Sequence, residues 1–300
     1  MSSPCLRASV VIAVQSESSC AAAGIFLYMI PASAGLLVVT AHLLVLGLLI
    51  TTPVMLALWA LHLRTRNASW VDVGWAANLG LLAVAYAIVA PGHLPRRLLV
   101  AAIVGLWSAR LTLHLVTRTI GAAEDPRYGD MRARWGGNLG LKFFTLFVGQ
   151  GLLDVLLALP FLFAAIDTAS QIHWLTWVGA AVAALGMLGE ATADAQLRAF
   201  KADPANRGQV CRVGLWSWSR HPNYFFDWLV WVGFALLGIV SPWGWTGLIG
   251  PALMLYFLTR VTGIAATEAH ALRSRGDAYR QYQREVSAFV PLPPRRGKLP

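Results

Sequence analysis

Long apolar runs separated by short polar stretches make up most of this chain. Seven of them, near 40–62, 70–90, 97–118, 141–166, 174–198, 223–240 and 243–263, approach the roughly 20 apolar residues that a helix needs to cross a bilayer. The pattern predicts an all-α integral membrane protein with about seven transmembrane helices. A further apolar stretch, Ala21–Leu37, is interrupted by Pro31 and Gly35. Met29 is a candidate start, which would leave 1–28 as extra sequence; a cleaved signal is the alternative, with Arg7 alone as its basic region. Residues 1–38 are therefore expected to be an N-terminal extension, 39–292 one seven-helix domain, and 293–300 an exposed basic tail.

Composition strengthens this reading. Hydrophobic residues make up 57% and charged residues 13%, against about 25% charged in soluble domains. Mean hydropathy is +0.59. The formal net charge of +10 comes from basic residues that gather between apolar runs, which points to topology and anionic ligands and away from nucleic acid. Arg64 and Arg66, then Arg118 to Lys142, then Arg198 to Arg220, then Arg260 to Arg284 mark alternate exits, and the other side carries little beyond Arg96 and Arg97. Such a bias predicts the N-terminus outside and the C-terminus inside, in a multi-pass protein of a bacterial inner membrane with its polar clusters facing the cytoplasm. Cys5, Cys20 and Cys211 lack the spacing of a disulfide, metal or redox site. No metal is expected, and no soluble nucleotide-binding motif is present.

Four polar clusters sit where charge is costly, and each has a bland reading beside the functional one. In EATADAQLRAFK, Glu190, Asp194, Arg198 and Lys201 recur at helical spacing. Carboxylates for ribose hydroxyls followed by cations for phosphates would suit a dinucleotide, and i,i+4 salt bridges are the alternative. In SRHPNYFFDW, Arg220 and His221 precede Pro222, and Asn223 and Asp227 lie i,i+4 on the helix it opens. An Asn donor beside an Asp acceptor matches a carboxamide such as that of nicotinamide; an ordinary helix cap is the alternative. The loop GAAEDPRYGDMR offers Glu124, Arg127 and Tyr128, as a site or as a solvated turn. In WVDVGW, Asp72 opens an uncharged helix beside Trp75. It is expected either to pair with Arg110 of the third helix or to lend a proton to a substrate carbonyl. Glu268, His270 and Tyr282 follow the last span, in a segment that also reads as a basic amphipathic tail on anionic lipid.

Taken together, EDPRY, TADAQ, GLWSWSRHPNYFFDW and the late pattern Glu268, Tyr279, Tyr282, Phe289, Pro291 resemble the steroid 5α-reductase superfamily, most of all its bacterial branch. The resemblance covers about residues 65–292 and is most specific in the last third. It implies seven membrane helices, NADPH in a cytoplasm-facing cavity, and reduction of a carbon–carbon double bond conjugated to a ketone. It further implies that Glu190 and Asp194 contact the adenosine side, and that Arg198, Lys201 and Arg212 lie at or beside the phosphates. Asn223 and Asp227 would hold the nicotinamide amide, with Glu268, His270 and Tyr282 near the cofactor. Steroid-reducing members carry a Gln-Glu pair in the second helix and a tyrosine in the third. Here those regions offer Asp72 and a position near Trp107. Asp72 is thus the first candidate acid and Tyr128 the second, with Trp75, Trp107, Arg110, Glu124 and Arg127 as substrate-side or structural residues.

The substrate so implied is a lipid-soluble enone, among them a 3-oxo-Δ4-steroid, with membrane lipid as surroundings and no protein or nucleic-acid partner. A methyltransferase acting on isoprenylcysteine or phospholipid shares the RHPNY pattern but binds S-adenosylmethionine, which has no phosphate. A small transporter would place charge nearer the midplane and repeat it.

Overall fold

A computed structural model describes residues 32–261 and 263–295, with side chains from Gly35 onward. The start-site question at 1–28 and the tail beyond Arg295 lie outside the described residues. The chain divides into two compact units, Met1–Val38 and Val39–Pro300. The described part of the first is the opening of a helix, and the second carries everything that follows.

All regular elements among the described residues are helical: α1 (Ala32–Thr65), α2 (Trp70–Val89), α3 (Leu94–Thr119), α4 (Pro126–Trp135), α5 (Leu139–Leu157), α6 (Leu159–Ile166), α7 (Trp174–Ala202), α8 (Pro222–Gly238), α9 (Ile249–Tyr256) and α10 (Ile264–Glu285). Six helical runs among them are long and apolar enough to cross a membrane, so the protein is an all-α membrane protein. The expected span at 223–240 forms as α8, whose 17 residues extend about 26 Å at 1.5 Å each, slightly less than the roughly 30 Å hydrocarbon core.

Two expected spans are interrupted for local reasons. The run 141–166 divides at Ala158, because Pro160 sits at the first turn of α6 and has no N–H to continue α5. The run 243–263 is a short 3-10 turn at Gly244–Leu248, then α9, then a π turn at Phe257–Val261. The wider π turn puts Phe257, Leu258 and Val261 along one cavity wall.

Close helix approach positions the polar residues. At Gly186 of α7 a Cβ would come within 2.8 Å of Phe226 O and Val230 N, and at Gly233 of α8 within 2.5 Å of Ala183 N. The two helices therefore meet backbone to backbone, as small residues permit in membranes. Above that seam, Trp107 is fully buried and packs against Trp75, Trp231 and Phe234, with ring centroids 5.9, 5.6 and 5.3 Å away. Elsewhere Arg96, 1% exposed, joins Asp167 Oδ2 at 2.9 Å and donates to the carbonyls of Asp167, Ala169 and Gln171.

Candidate functional site

The short helix α4 forms because Asp125 caps it, accepting the Arg127 N–H at 3.0 Å, with Pro126 in its first turn. Glu124 ties the same loop to the start of α2: it accepts the Ala68 N–H at 2.8 Å and pairs with Arg132 at 2.8 Å. Ser69 Oγ accepts the Asp125 N–H at 2.9 Å. Glu124 is therefore a loop latch, and the residues it brings into position are Arg127 and Tyr128.

Both of those side chains reach Asp72. Arg127 Nη2 lies 2.8 Å from Asp72 Oδ2, and the Tyr128 hydroxyl donates to Oδ1 at 2.6 Å. The expected pairing of Asp72 with Arg110 does not form: Arg110 is ion-paired with Glu190 of α7. Asp72 accepts at both oxygens, and the Tyr128 hydroxyl is the donor in its bond to Asp72. Burial and the adjacent Asp72 carboxylate push the Tyr128 hydroxyl well above its ordinary value. Burial opposes the Arg127 charge, but Asp72 and Asp125 outweigh it and hold the guanidinium above its ordinary value. Burial raises Asp125, yet its bonds to Arg127 and the charges of Arg127 and Arg118 leave it below the usual carboxylate range.

Asp72, Arg127 and Tyr128 line one side of a cavity of about 400 Å³. Across it stand Glu190 and Asp194 of α7 and Asn223 and Asp227 of α8, and apolar walls come from Leu146, Leu153 and Leu157 of α5 and from the π turn. Asn223 Nδ2 approaches Asp194 Oδ1 at 3.4 Å, and Asp227 makes no hydrogen bond among the described residues. Trp75 lines the cavity, whereas Trp107 is enclosed behind it. Glu190 and Asp194 thus share one end of the site with Asn223 and Asp227.

A second cavity, of about 200 Å³, begins where the first ends, and Asn223 and Tyr224 line both. Its cations are Lys201, Arg220 and Arg275, and Tyr282 and His221 lie along it. A third, of about 440 Å³, continues past Lys201 and Arg275 and adds Arg207. The tyrosine between the first two cavities stacks on His221, ring centroids 5.3 Å apart, and its hydroxyl is 3.2 Å from Thr267 Oγ1. Among the described residues no cluster of three His, Cys, Asp or Glu side chains has the arrangement of a metal site.

Four expected cofactor contacts lie away from these cavities. Arg198 is exposed: counted from Glu190, residues at +4, +7 and +11 stay within about 40° of one line while +8 turns to about 80°. The cavity-facing row is accordingly Glu190, Asp194, Leu197 and Lys201. Arg212 follows Cys211 in an extended segment and turns the other way, pairing with Glu285 at 2.5 Å. Glu268 is consumed by Arg220 Nε at 2.6 Å, His221 Nε2 at 3.3 Å and Gln283 at 2.8 Å. His270 lies two residues on, about 200° round α10, and is exposed.

Arg275, at +7 from Glu268 on α10, lines both cation-lined cavities. Gln150 was missed because one amide among leucines carries no signal of its own.

The family described as a protein of unknown function, DUF1295, matches residues 58–286, well over half of the chain, and the chain belongs to that family. It is also similar to an uncharacterised protein of Schizosaccharomyces pombe, 28% identical over 283 residues, covering 82% of this chain and 79% of that protein. No solved structure matches.

Proposed function

We propose that this chain is a membrane reductase that binds NADPH along the two cation-lined cavities and reduces the conjugated double bond of a lipid-soluble enone in the apolar-walled one. The observation that carries the reading is the junction at Asn223 and Tyr224, where a cation-lined channel opens into a cavity with apolar walls and an acidic rim. Phosphates are repelled by Glu190, Asp194 and Asp227 and attracted by Lys201, Arg207 and Arg275, so the electrostatics favour one direction of binding. The amide end of the dinucleotide is then directed to Asn223 and Asp227.

The donor set fits that group. Asp227 has an acceptor with no hydrogen bond of its own, and Asn223 has only a long contact to give up, so both are free for a carboxamide. Bound there, NADPH would supply a hydride to the electron-poor carbon of an enone. Tyr128 would hydrogen-bond the developing enolate oxygen and Asp72, fixed by Arg127, would orient that hydroxyl. Apolar walls from α5 and the π turn exclude water and strengthen those bonds. Steroids are one class of such enones. The basic exits support a cytoplasmic position for this end of the bundle, with the C-terminus inside.

Binding of NADPH, NADH and S-adenosylmethionine to detergent-purified protein tests the reading, because a ligand of the folded state raises its melting temperature with concentration. Stabilisation by NADPH is expected. A response to S-adenosylmethionine alone would make the protein a methyltransferase instead.

A further inference from the structure

Away from the cavities, Asn78 of α2 and Asp154 of α5 meet inside the bundle, each with no exposure. Asn78 Nδ2 donates to Asp154 Oδ2 at 2.7 Å. The other oxygen of each side chain, Asp154 Oδ1 and Asn78 Oδ1, is buried without a hydrogen-bond partner among the described residues. No ion pair reaches Asp154 there. Around the pair, α1 contributes Thr51 and Met55 against Gly151, and α2 contributes Leu82 and Tyr86 near Val155, none of them a cation.

A carboxylate enclosed in this way has no counter-charge and no exposure to solvent, which costs far more than holding a proton. A neutral carboxylic acid and a primary amide pair through two hydrogen bonds: amide N–H to acid C=O, and acid O–H to amide C=O. The first of these is present. The two oxygens left without partners are the two that the second would join, and a single proton satisfies both.

We propose that Asn78 and Asp154 form a proton-binding site, in which a proton on Asp154 Oδ1 closes a second hydrogen bond to Asn78 Oδ1. The site joins the two helices that supply different cavity walls. From α2 come Asp72 and Trp75, and from α5 come Leu146, Gln150, Leu153 and Leu157. Asp154 lies one residue, about 100° round the helix, from Leu153 and turns to α2 instead of the cavity. Its proton is therefore a clamp between walls and not the proton of the reaction, and the proposal stands apart from the identity of any cofactor.

The test uses Asp154→Asn, because an amide copies the donor and acceptor of a neutral acid but not of a carboxylate. The variant is expected to fold with a melting temperature within about 3 °C of the native protein. Infrared spectra should show a protonated-carboxyl C=O band in the native protein that moves in heavy water and is missing from the variant. Failure of the variant to fold, or loss of a carboxylate band in its place, would overturn the proposal. So would a sodium-dependent rise in melting temperature that the variant abolishes, which would assign the pair to a metal cation.

Discussion

Two arginines of α3, near its start and past its middle, differ in what surrounds them. Arg96 is enclosed, and its partner Asp167 is saturated: Oδ1 accepts the Ala169 N–H at 2.9 Å, Oδ2 takes Arg96 and the Ser241 hydroxyl, and the carbonyl takes the His93 N–H. Arg110 is ion-paired with Glu190 through one terminal nitrogen, and Asp194 and Asp227 line the same cavity as Glu190 without a cation each. The first arrangement matches one enclosed cation to one enclosed carboxylate whose oxygens are all bonded, and leaves only Arg96 Nε without a partner among the described residues. The second gathers Glu190, Asp194 and Asp227 around one arginine beside open volume, which is how ligand sites differ from structural ion pairs in low dielectric.

The largest expected effect falls on the closed region. Arg96→Ala leaves Asp167 buried without its cation and should cost about 3–5 kcal/mol of stability, read as a lower denaturation midpoint, while the fraction that folds keeps its response to NADPH. A variant as stable as the native protein but deaf to NADPH would erase the contrast between the regions.

On the open side, Tyr128→Phe removes the hydroxyl beside Asp72 but little packing. Turnover of an accepted enone should fall about 10²–10⁴-fold, with the thermal response to NADPH retained. Normal turnover would transfer the proton-lending role to another group. Asp227→Ala should act oppositely on binding and stability. Loss of this acceptor weakens NADPH about 2–10-fold, yet the free protein should melt no lower, because the side chain removed makes no hydrogen bond of its own among the described residues. Unchanged NADPH affinity, measured by titration calorimetry, would separate Asp227 from the cofactor.

The two regions were unequally legible in the sequence. Helical class and most span positions follow from apolar run lengths, and EATADAQLRAFK and SRHPNYFFDW marked the open site because charge inside apolar runs is rare. Partner choice was not legible. Asp72 was as near in pattern to Arg110 as to Arg127, and only the latch of Glu124 on Ala68 brings α4 over α2 and decides between them. Arg198 was chosen over Leu197 because charge outweighed angle in the reading. The closed region was passed over as a sparse outer face, since Arg96 gains its meaning from carbonyls of a loop about 70 residues away, which no local pattern encodes.

The smallest expected effect lies on α4, between the two kinds of region, and it distinguishes hydrogen bonding from charge. Asp125 caps the helix through the Arg127 N–H and also meets the guanidinium groups of Arg127 and Arg118 at 3.0 and 2.8 Å. Its folded-state value lies below the ordinary carboxylate range. Its contribution is therefore fully present above the unfolded value of about 3.9 and is lost as pH falls through the lower folded value. Asp125→Ala should cost about 1 kcal/mol near neutral pH, and its deficit against the native protein should shrink as both are melted at progressively lower pH. Asp125→Asn keeps a cap acceptor without the charge, so it should fall between the two at neutral pH and approach the native protein in acid. A deficit that does not change with pH would mean that the cap alone holds α4, and that this wall of the open site is built from hydrogen bonds to backbone groups, as Asp167 is held beside Arg96.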